Sequence, residues 1–314
     1  MRGARCASDS FLLPPASCLL PPAFYYIIRC QEPVVQHGRR ATLLVLLGVS
    51  VAAAQQPAPS SPFPVLVYER RPLRVPITCR AEDFEAAGLQ CTEEEPCRVF
   101  LELAAVEAAG PKIALVGNLH TVSATLSSLA LMSDDAGTTW REPLGRLAAT
   151  GFEAVQLLNE QNGWISVQPQ VGLASDPYLL GTSDGGTTWQ KFPIWSEEGR
   201  AGLLQQFYFD SKEHGLALID RSQSGDAASR YELYETPNGG ATWMLRETGS
   251  RPIAPKWPVR RASDWRLREE DKAKTYDLER RVGDTWRRMA SFSTALGVCK
   301  ALETKQPAPP GPDP

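Results

Sequence analysis

An eight-residue pattern occurs three times in this chain, and that recurrence narrows the fold more than any other feature. Ser133-Asp134-Asp135-Ala136-Gly137-Thr138-Thr139-Trp140 reappears as Thr182-Ser183-Asp184-Gly185-Gly186-Thr187-Thr188-Trp189, and again as Thr236-Pro237-Asn238-Gly239-Gly240-Ala241-Thr242-Trp243. A worn fourth copy, Gly283-Asp284-Thr285-Trp286, keeps the Gly-x-Thr-Trp end without the Ser and Asp positions. The copies fall roughly every 45 to 55 residues, a blade length for a propeller. Each copy has the chemistry of a turn. The hydroxyl of Ser133, Thr182 or Thr236 and the side chain of Asp135, Asp184 or Asn238 can accept from backbone N–H groups, while Gly137, Gly186 and Gly240 take a positive φ that other residues resist. The pairs Thr139-Trp140, Thr188-Trp189 and Thr242-Trp243 then enter a strand, and each indole offers a large apolar face to a neighbouring sheet.

Upstream of each turn lie further strand-like runs. Val155-Gln156-Leu157-Leu158 leads through a polar turn to Gly163-Trp164-Ile165-Ser166-Val167, and Phe207-Tyr208-Phe209-Asp210 leads likewise to His214-Gly215-Leu216-Ala217-Leu218-Ile219. The first unit has Phe100-Leu101-Glu102-Leu103 before Ile113-Ala114-Leu115-Val116, and the last has Val259 and then Trp265-Arg266-Leu267. Each unit therefore reads strand, turn, strand, longer loop, strand, box turn, strand. The fold predicted is all-β, a β-propeller of four-stranded antiparallel blades with four recognisable repeats. A fifth blade is open to completion by the terminal segments 65–70 and 294–298.

The Thr-x-Asp-Gly-Gly-x-Thr-Trp box with a Gly-Trp strand upstream resembles the Asp-box (BNR) superfamily, and in particular the repeats of the photosystem II stability and assembly factor family. The resemblance covers residues 99–289 and is specific for fold. It implies a non-catalytic scaffold or assembly role through protein binding, although the box itself is an architectural device shared by binding proteins and enzymes. The enzymatic relatives are sialidases and similar glycosidases, which would bring a Tyr/Phe-Arg-Ile-Pro segment, an arginine triad, an acid/base Asp and a Tyr nucleophile partnered by Glu. Leu73-Arg74-Val75-Pro76 matches the first element only in part, lacking the aromatic. Tyr231 with Glu232, or Tyr276 with Glu279, can be nominated for the Tyr–Glu pair, but no acid/base Asp or complete triad is assignable. A sialidase-like exo-glycosidase is thus the alternative reading.

The flanks look like export. Gly38-Arg39-Arg40, an apolar run and Ala52-Ala53-Ala54 read as a signal peptide over residues 38–54, too short in its apolar part for an ordinary membrane span. An uncleaved anchor is the rival. Residues 1–37 fit poorly before such a signal and read as a doubtful extension, with the true start near Val34 or Val35. Residues 55–64 form a Pro/Ser-rich linker, 65–303 the propeller and 304–314 a disordered tail. A periplasmic or extracellular location follows, with no membrane span in the mature form.

Cleavage leaves Cys79, Cys91, Cys97 and Cys299, an even set that favours two disulfides among three pairings. If all four pair, at least one bridge joins the two ends. A zinc site is the competing reading, but the spacing of the first three matches no usual zinc knuckle.

The formal net charge of −3 lacks the uniform basic field of a nucleic-acid binder, so a polyanion would need a local patch. Arginines and lysines cluster between Arg251 and Arg288, and Arg260, Arg261, Arg266 and Arg268 are candidates for anion binding. The bland reading is a solvated last blade whose arginines pair with Glu269, Glu270, Asp271, Asp277 and Glu279. Only His120 and His214 survive cleavage, too few for a multi-His metal centre, and no cofactor motif is present. Asp135 and Asp184 resemble catalytic carboxylates or calcium ligands in isolation, but their repetition at one turn position points to turn chemistry. The partner expected is another exported protein or an anionic surface ligand, and no catalytic residue is assigned.

Overall fold

The computed structural model describes residues 63–170, 176–222, 230–255 and 263–300. The readings of residues 1–62 and 301–314, the signal peptide and tail among them, lie outside the described residues, as do Arg260 and Arg261. The chain begins with β1 (Leu66–Val67) and one short helix, α1 (Ala81–Ala86). The first blade follows as β2 (Cys97–Ala109), β3 (Lys112–His120), β4 (Thr125–Ser133) and the short β5 (Thr139–Trp140). The second is β6 (Thr150–Leu157), β7 (Gly163–Pro169), β8 (Tyr178–Thr182) and β9 (Gln190–Pro193). The third is β10 (Leu203–Phe209), β11 (Gly215–Asp220), β12 (Tyr231–Thr236) and β13 (Met244–Gly249). The last holds β14 (Trp265–Glu270), β15 (Thr275–Val282) and β16 (Thr285–Ser293), after which β17 (Ala295–Cys299) ends the described chain. β2–β4, β6–β9, β10–β13 and β14–β16 pair antiparallel in sequence order, so the chain is an all-β propeller whose blade sheets have four antiparallel strands, the first counting β17, except the last with three.

Strand alternation decides which face of each sheet goes where. Along β3, Ile113 and Leu115 face one neighbour while Ala114 and Val116 face the other, and all four are buried. The blades consequently pack through three apolar clusters. The first joins the fourth blade to the first through Leu101, Leu115, Leu131, Trp140, Leu278 and Phe292. The second joins the first blade to the second through Val116, Met132, Phe152 and Ile165, and the third joins the second to the third through Trp164, Leu179, Phe207 and Phe209. Aromatic contacts reinforce two of these interfaces. Trp164 stacks on Phe209 with ring centroids 3.8 Å apart, and Trp140 meets Phe292 edge to face at 5.4 Å.

The termini correct one expectation. No fifth four-stranded blade forms among the described residues; instead β1 makes a two-stranded sheet with β5, and the two end segments flank the first blade. β17 adds to the free edge of β2, with Cys299 opposite Cys97, and β1 pairs with β5. Between β1 and α1 the chain runs beside β16, where the Leu73 N–H donates to Ser291 O at 2.7 Å and Leu73 O accepts from Ser293 N–H at 2.8 Å. The physical reason is length: β2 has 13 residues, and its first four offer an edge that a terminal strand can fill. This first blade is thus held on both sides by the ends of the domain.

Two disulfides secure that arrangement and remove the zinc reading. Cys79 is bonded to Cys299 across 220 residues of sequence, and Cys91 to Cys97 across 6. Loop-closure entropy makes the first bridge worth about 5 kcal/mol and the second about 2 kcal/mol. Replacing Cys79 and Cys299 together by serine is therefore expected to lower the urea midpoint well below that of the Cys91→Ser/Cys97→Ser protein. Equal midpoints for the two double variants would show that joining the ends contributes no more than closing the small loop.

Candidate functional site

Three of the four repeats form one kind of hydrogen-bonded turn, the first two built alike and the third with an asparagine in place of the aspartate. In the first, Ser133 Oγ accepts the Gly137 N–H at 2.8 Å and donates to Asp135 at 2.8 Å. Asp135 Oδ1 also accepts the Thr138 and Thr139 N–H groups at 3.1 and 2.8 Å, and Oδ2 accepts the Thr139 hydroxyl at 2.7 Å. Thr182 and Asp184 reproduce every bond, with Gly186, Thr187 and Thr188 as partners. In the third, Thr236 accepts from Gly240, and Asn238 accepts from Thr242 N–H at 2.9 Å and donates its amide to the Thr242 hydroxyl at 3.0 Å. The fourth copy differs. Without a hydroxyl and carboxylate, Gly283 forms only a tight hairpin in which Val282 pairs with Thr285, and Trp286 is half-buried beneath the Arg266 guanidinium at 4.1 Å.

The fifth residue of each box is a glycine because the backbone there is left-handed. Gly137, Gly186 and Gly240 have φ of 95°, 81° and 100°. A Cβ on Gly186 would also collide with the Met132 sulfur of the preceding blade, and one on Gly240 would lie 3.4 Å from Phe192. Thr139-Trp140, Thr188-Trp189 and Thr242-Trp243 then carry the indoles inward. Trp140 is fully buried and donates its Nε1–H to Gly137 O at 3.0 Å, while Trp189 and Trp243 pack against the second and third clusters.

The boxes are also wired to one another, and not in the same way. Between the first and second, buried Lys112 donates to Asp134 and to Gly185 O. Arg141 bonds Asp134 at 3.4 Å and Gly186 O at 3.3 Å. Partial burial pushes the Asp134 carboxyl up, but Lys112 and Arg141 outweigh it and hold the group below its usual range. Between the second and third boxes the only counterpart among the described hydrogen bonds is Trp164 Nε1–H to Gly239 O, at 3.1 Å. A groove of about 580 Å³ opens there, lined by Asn162, Gly181, Ser183, Gln190, Lys191 and Lys212 among others. Neither the clamp nor the groove had a recognisable motif in the sequence.

Of the arginines nominated for anions, the two among the described residues, Arg266 and Arg268, are engaged with carboxylates. Arg266 bonds Glu279 at 2.7 Å, and Arg268 bonds Glu270, Asp277 and Glu279 at 2.7, 3.2 and 3.1 Å. Asp277, fully buried, also takes Arg288 at 2.6 Å. The cause is strand register, since Arg268 lies opposite Asp277 and Arg266 opposite Glu279.

Neither nominated Tyr–Glu pair meets. Tyr231 and Glu232 are successive strand residues and Tyr276 and Glu279 are three apart, so alternation sends each pair to opposite faces. The pair that does meet is Tyr234, whose hydroxyl donates to Glu232 at 2.7 Å while accepting the Trp195 indole N–H at 2.8 Å. Burial first, and the adjacent Glu232 carboxylate second, push the Tyr234 hydroxyl up to about 12. Glu232 is itself bonded to Arg221 at 2.9 Å and Arg200 at 3.3 Å. His214 links Asp210 and Glu235 at 2.8 Å each, and the Glu235 contact foremost raises its pKa above the ordinary histidine range. Leu73-Arg74-Val75-Pro76 lies in the segment beside β16, with Leu73 and Val75 in the core.

No family model matches the chain, and no curated protein matches it. Solved structures do. The chain is similar to YCF48 bound to D1 peptide, at 16% identity and TM-score 0.34 over 63% of this chain and 56% of that one. It is also similar to the GH74 xyloglucanase of Xanthomonas campestris, at 19% identity and TM-score 0.32 over 43% of this chain and 18% of that one. A third is the α-L-arabinanase of Penicillium chrysogenum complexed with arabinobiose, at 13% identity and TM-score 0.32 over 63% and 62%. The chain thus spans less than two thirds of the length of each.

The box geometry generates a prediction. Slight burial raises the Asp184 carboxyl, but the Thr188, Thr182 and Thr187 bonds together bring it below the usual range. A carboxylate with a depressed pKa stabilises the fold above its unfolded pKa and loses that contribution as pH falls through the folded value. Asp184→Ala is expected to cost about 2 kcal/mol at pH 7. Asp184→Asn, which copies Asn238, is expected to cost under about 1 kcal/mol and to flatten the stability profile below about pH 4. Urea unfolding at pH 7 and pH 3 checks both, and an unchanged acid limb in Asp184→Asn would remove this carboxylate from the turn's energetics.

Proposed function

We propose that this chain is an exported, non-catalytic propeller that acts by holding a partner protein. The observation that supports this reading most is the state of its ionisable groups. Glu232, Asp277 and Glu279 are buried and bonded to arginines of their own blade, and Asp135 and Asp184 are bonded within their turns. Groups so engaged stabilise a frame. They are poorly placed to exchange protons with a substrate. Two structural disulfides fit an oxidising compartment, which supports export.

What such a frame offers is surface. β13 is exposed along nearly its whole length, with Met244 and Leu245 each about half exposed on the last strand of its sheet. An edge strand carrying apolar side chains suits main-chain pairing with an extended partner segment.

One contact favours the glycosidase alternative, the hydrogen bond from Tyr234 to Glu232. Its electrostatics run against nucleophilic use. A hydroxyl pushed up to about 12 stays protonated at neutral pH, whereas a nucleophile needs the opposite shift.

The test uses the disulfide-intact chain carrying a photo-crosslinking residue at Leu245 or, separately, at the highly exposed Val122, in contact with envelope extract of the source cell. A single protein crosslinked through position 245 and not through 122 is the expected result. Hydrolysis of an aryl sialoside or arabinoside that disappears in Tyr234→Phe would overturn the reading in favour of an enzyme. Absence of any crosslinked partner at either position would leave it without support as a protein-binding scaffold.

A further inference from the structure

The four bonded cysteines sit closer together than their two bridges require. Cys97 opens β2 and Cys299 closes β17, and the two are direct partners in the antiparallel register of those strands. Opposite residues of an antiparallel pair turn their side chains to one face, with Cα atoms about 4.5 or 5.5 Å apart. Both spacings lie inside the range that a disulfide spans. Cys97 and Cys299 are nevertheless bonded elsewhere, Cys97 to Cys91 and Cys299 to Cys79, each with a Cα separation of 5.4 Å. The sheet thus sets a third sulfur beside each bridge.

The two bridges differ in what can reach them. Cys299 is 1% exposed and belongs to the core between the fourth and first blades, which keeps dissolved thiols from it. The small bridge closes a loop whose residues 92–96 are all exposed, and Cys97 itself is half-buried. Glu93 of that loop takes Lys300, the residue after Cys299, at 2.6 Å, which holds the loop against the end of β17. A reductant therefore meets the small bridge first. Disulfides exchange by attack of a thiolate on a bridge sulfur, and a thiolate fixed beside its target acts at an effective concentration far above that of a dissolved one.

We propose that the four cysteines form an exchange relay that moves the end-to-end bridge from Cys79 to Cys97. An external dithiol first reduces Cys91–Cys97, becoming a disulfide itself and leaving thiols on Cys91 and Cys97. The Cys97 thiolate then attacks Cys299 Sγ. The Cys97–Cys299 bond forms, the Cys79–Cys299 bond breaks, and the electron pair leaves on Cys79 Sγ, which takes a proton. This second step consumes no reductant, since one thiol replaces another. Its outcome is directional. β17 stays tied to β2, so the blade edge remains closed, while the segment before β2 loses both covalent anchors. That segment is then held by its contacts alone, among them Phe84 in the core and Leu73 beside β16. The relay is independent of what the propeller binds.

The exchange step is tested without any reductant in Cys91→Ser, which leaves Cys97 as a thiol beside the Cys79–Cys299 bridge. Cys6, Cys18 and Cys30 are replaced by serine in every protein, so that only the four sulfurs described take part. After incubation at about pH 8, where thiolate is abundant, free thiols are trapped with N-ethylmaleimide and located by peptide mass spectrometry. Label is expected on both Cys97 and Cys79, with Cys79 carrying more than about a tenth of the total and a Cys97–Cys299 linked peptide present. Cys91→Ser/Cys97→Ser is expected to leave Cys79 unlabelled. Label on Cys97 alone in the first variant, or equal label on Cys79 in both, would overturn the relay. The protein retaining all four cysteines gives a second measurement that does not depend on how Cys91→Ser folds. Treated with limiting dithiothreitol, it is expected to yield a one-bridge form joined through Cys97–Cys299, with label on Cys79 and Cys91. A one-bridge form joined only through Cys79–Cys299, with label on Cys91 and Cys97, would overturn the proposal.

Discussion

The contact on which this architecture turns is the approach of the glycine at the fifth position of each box to a side chain of the blade before it. Gly137 faces Met289, Gly186 faces Met132 and Gly240 faces Phe192. The left-handed backbone is used at all three points and the missing Cβ at Gly186, where one would collide with the Met132 sulfur, and the tryptophan that follows lays its ring beside the same glycine. A turn that would otherwise be a local hairpin therefore becomes a docking element between sheets. Among the described residues, the hydroxyl and carboxylate of the first two turns bond within the turn itself. They hold the glycine at the angle that lets the next sheet come close.

The apolar contacts made possible by this approach are supplemented by side-chain amides that cap backbone at the blade edges. Asn118 of the first blade accepts the Phe152 N–H of the second at 2.9 Å. Gln156 of the second accepts the Phe209 N–H and donates to the Phe209 carbonyl of the third, at 2.8 and 2.7 Å. Each is buried, so each would carry a desolvation cost if left unpaired. Placing one fixes the register between neighbouring sheets more narrowly than apolar packing does, because a bidentate amide fits one backbone position. The end-to-end disulfide then acts on a domain whose internal registers are already set, and it limits the unfolded chain more than it shapes the folded one.

Electrostatics separates the inside of the frame from its surface. Arg268, Arg288, Asp277 and Glu279 satisfy one another on a single sheet face, and Arg200, Arg221, Glu232 and Tyr234 do so on another. Within each set, removing one member strands a buried carboxylate, so these groups are held in place by the cost of breaking them up. Lys191 and Lys212 are outside both sets and exposed. The distinction between cations that hold the fold and cations left at the surface is visible only once the strands are paired.

How much of this was legible in the sequence follows from the range of each interaction. The propeller was legible because a box turn is a local device: Ser133, Asp135, Gly137 and Trp140 meet one another within eight residues, and repetition turned three local devices into an architecture. The fate of the ends was not, because the edge of β2 that receives β17 is created by a pairing across almost the whole domain. The Tyr–Glu contact stood between these cases. Strand periodicity alone places Tyr234 and Glu232 on one face and separates Tyr231 from Glu232, so proximity in sequence was the wrong criterion and a spacing of two the right one. The clamp and the groove needed a further step. Lys112 and Asn162 differ in sequence by an ordinary surface substitution, and the difference acquires meaning only when both are seen at the same station of successive blades, one reaching the next box's carbonyl and the other too short and uncharged to do so. Repeat proteins carry their own internal reference in this way, since each blade shows what its neighbour's residues would have done had they been kept.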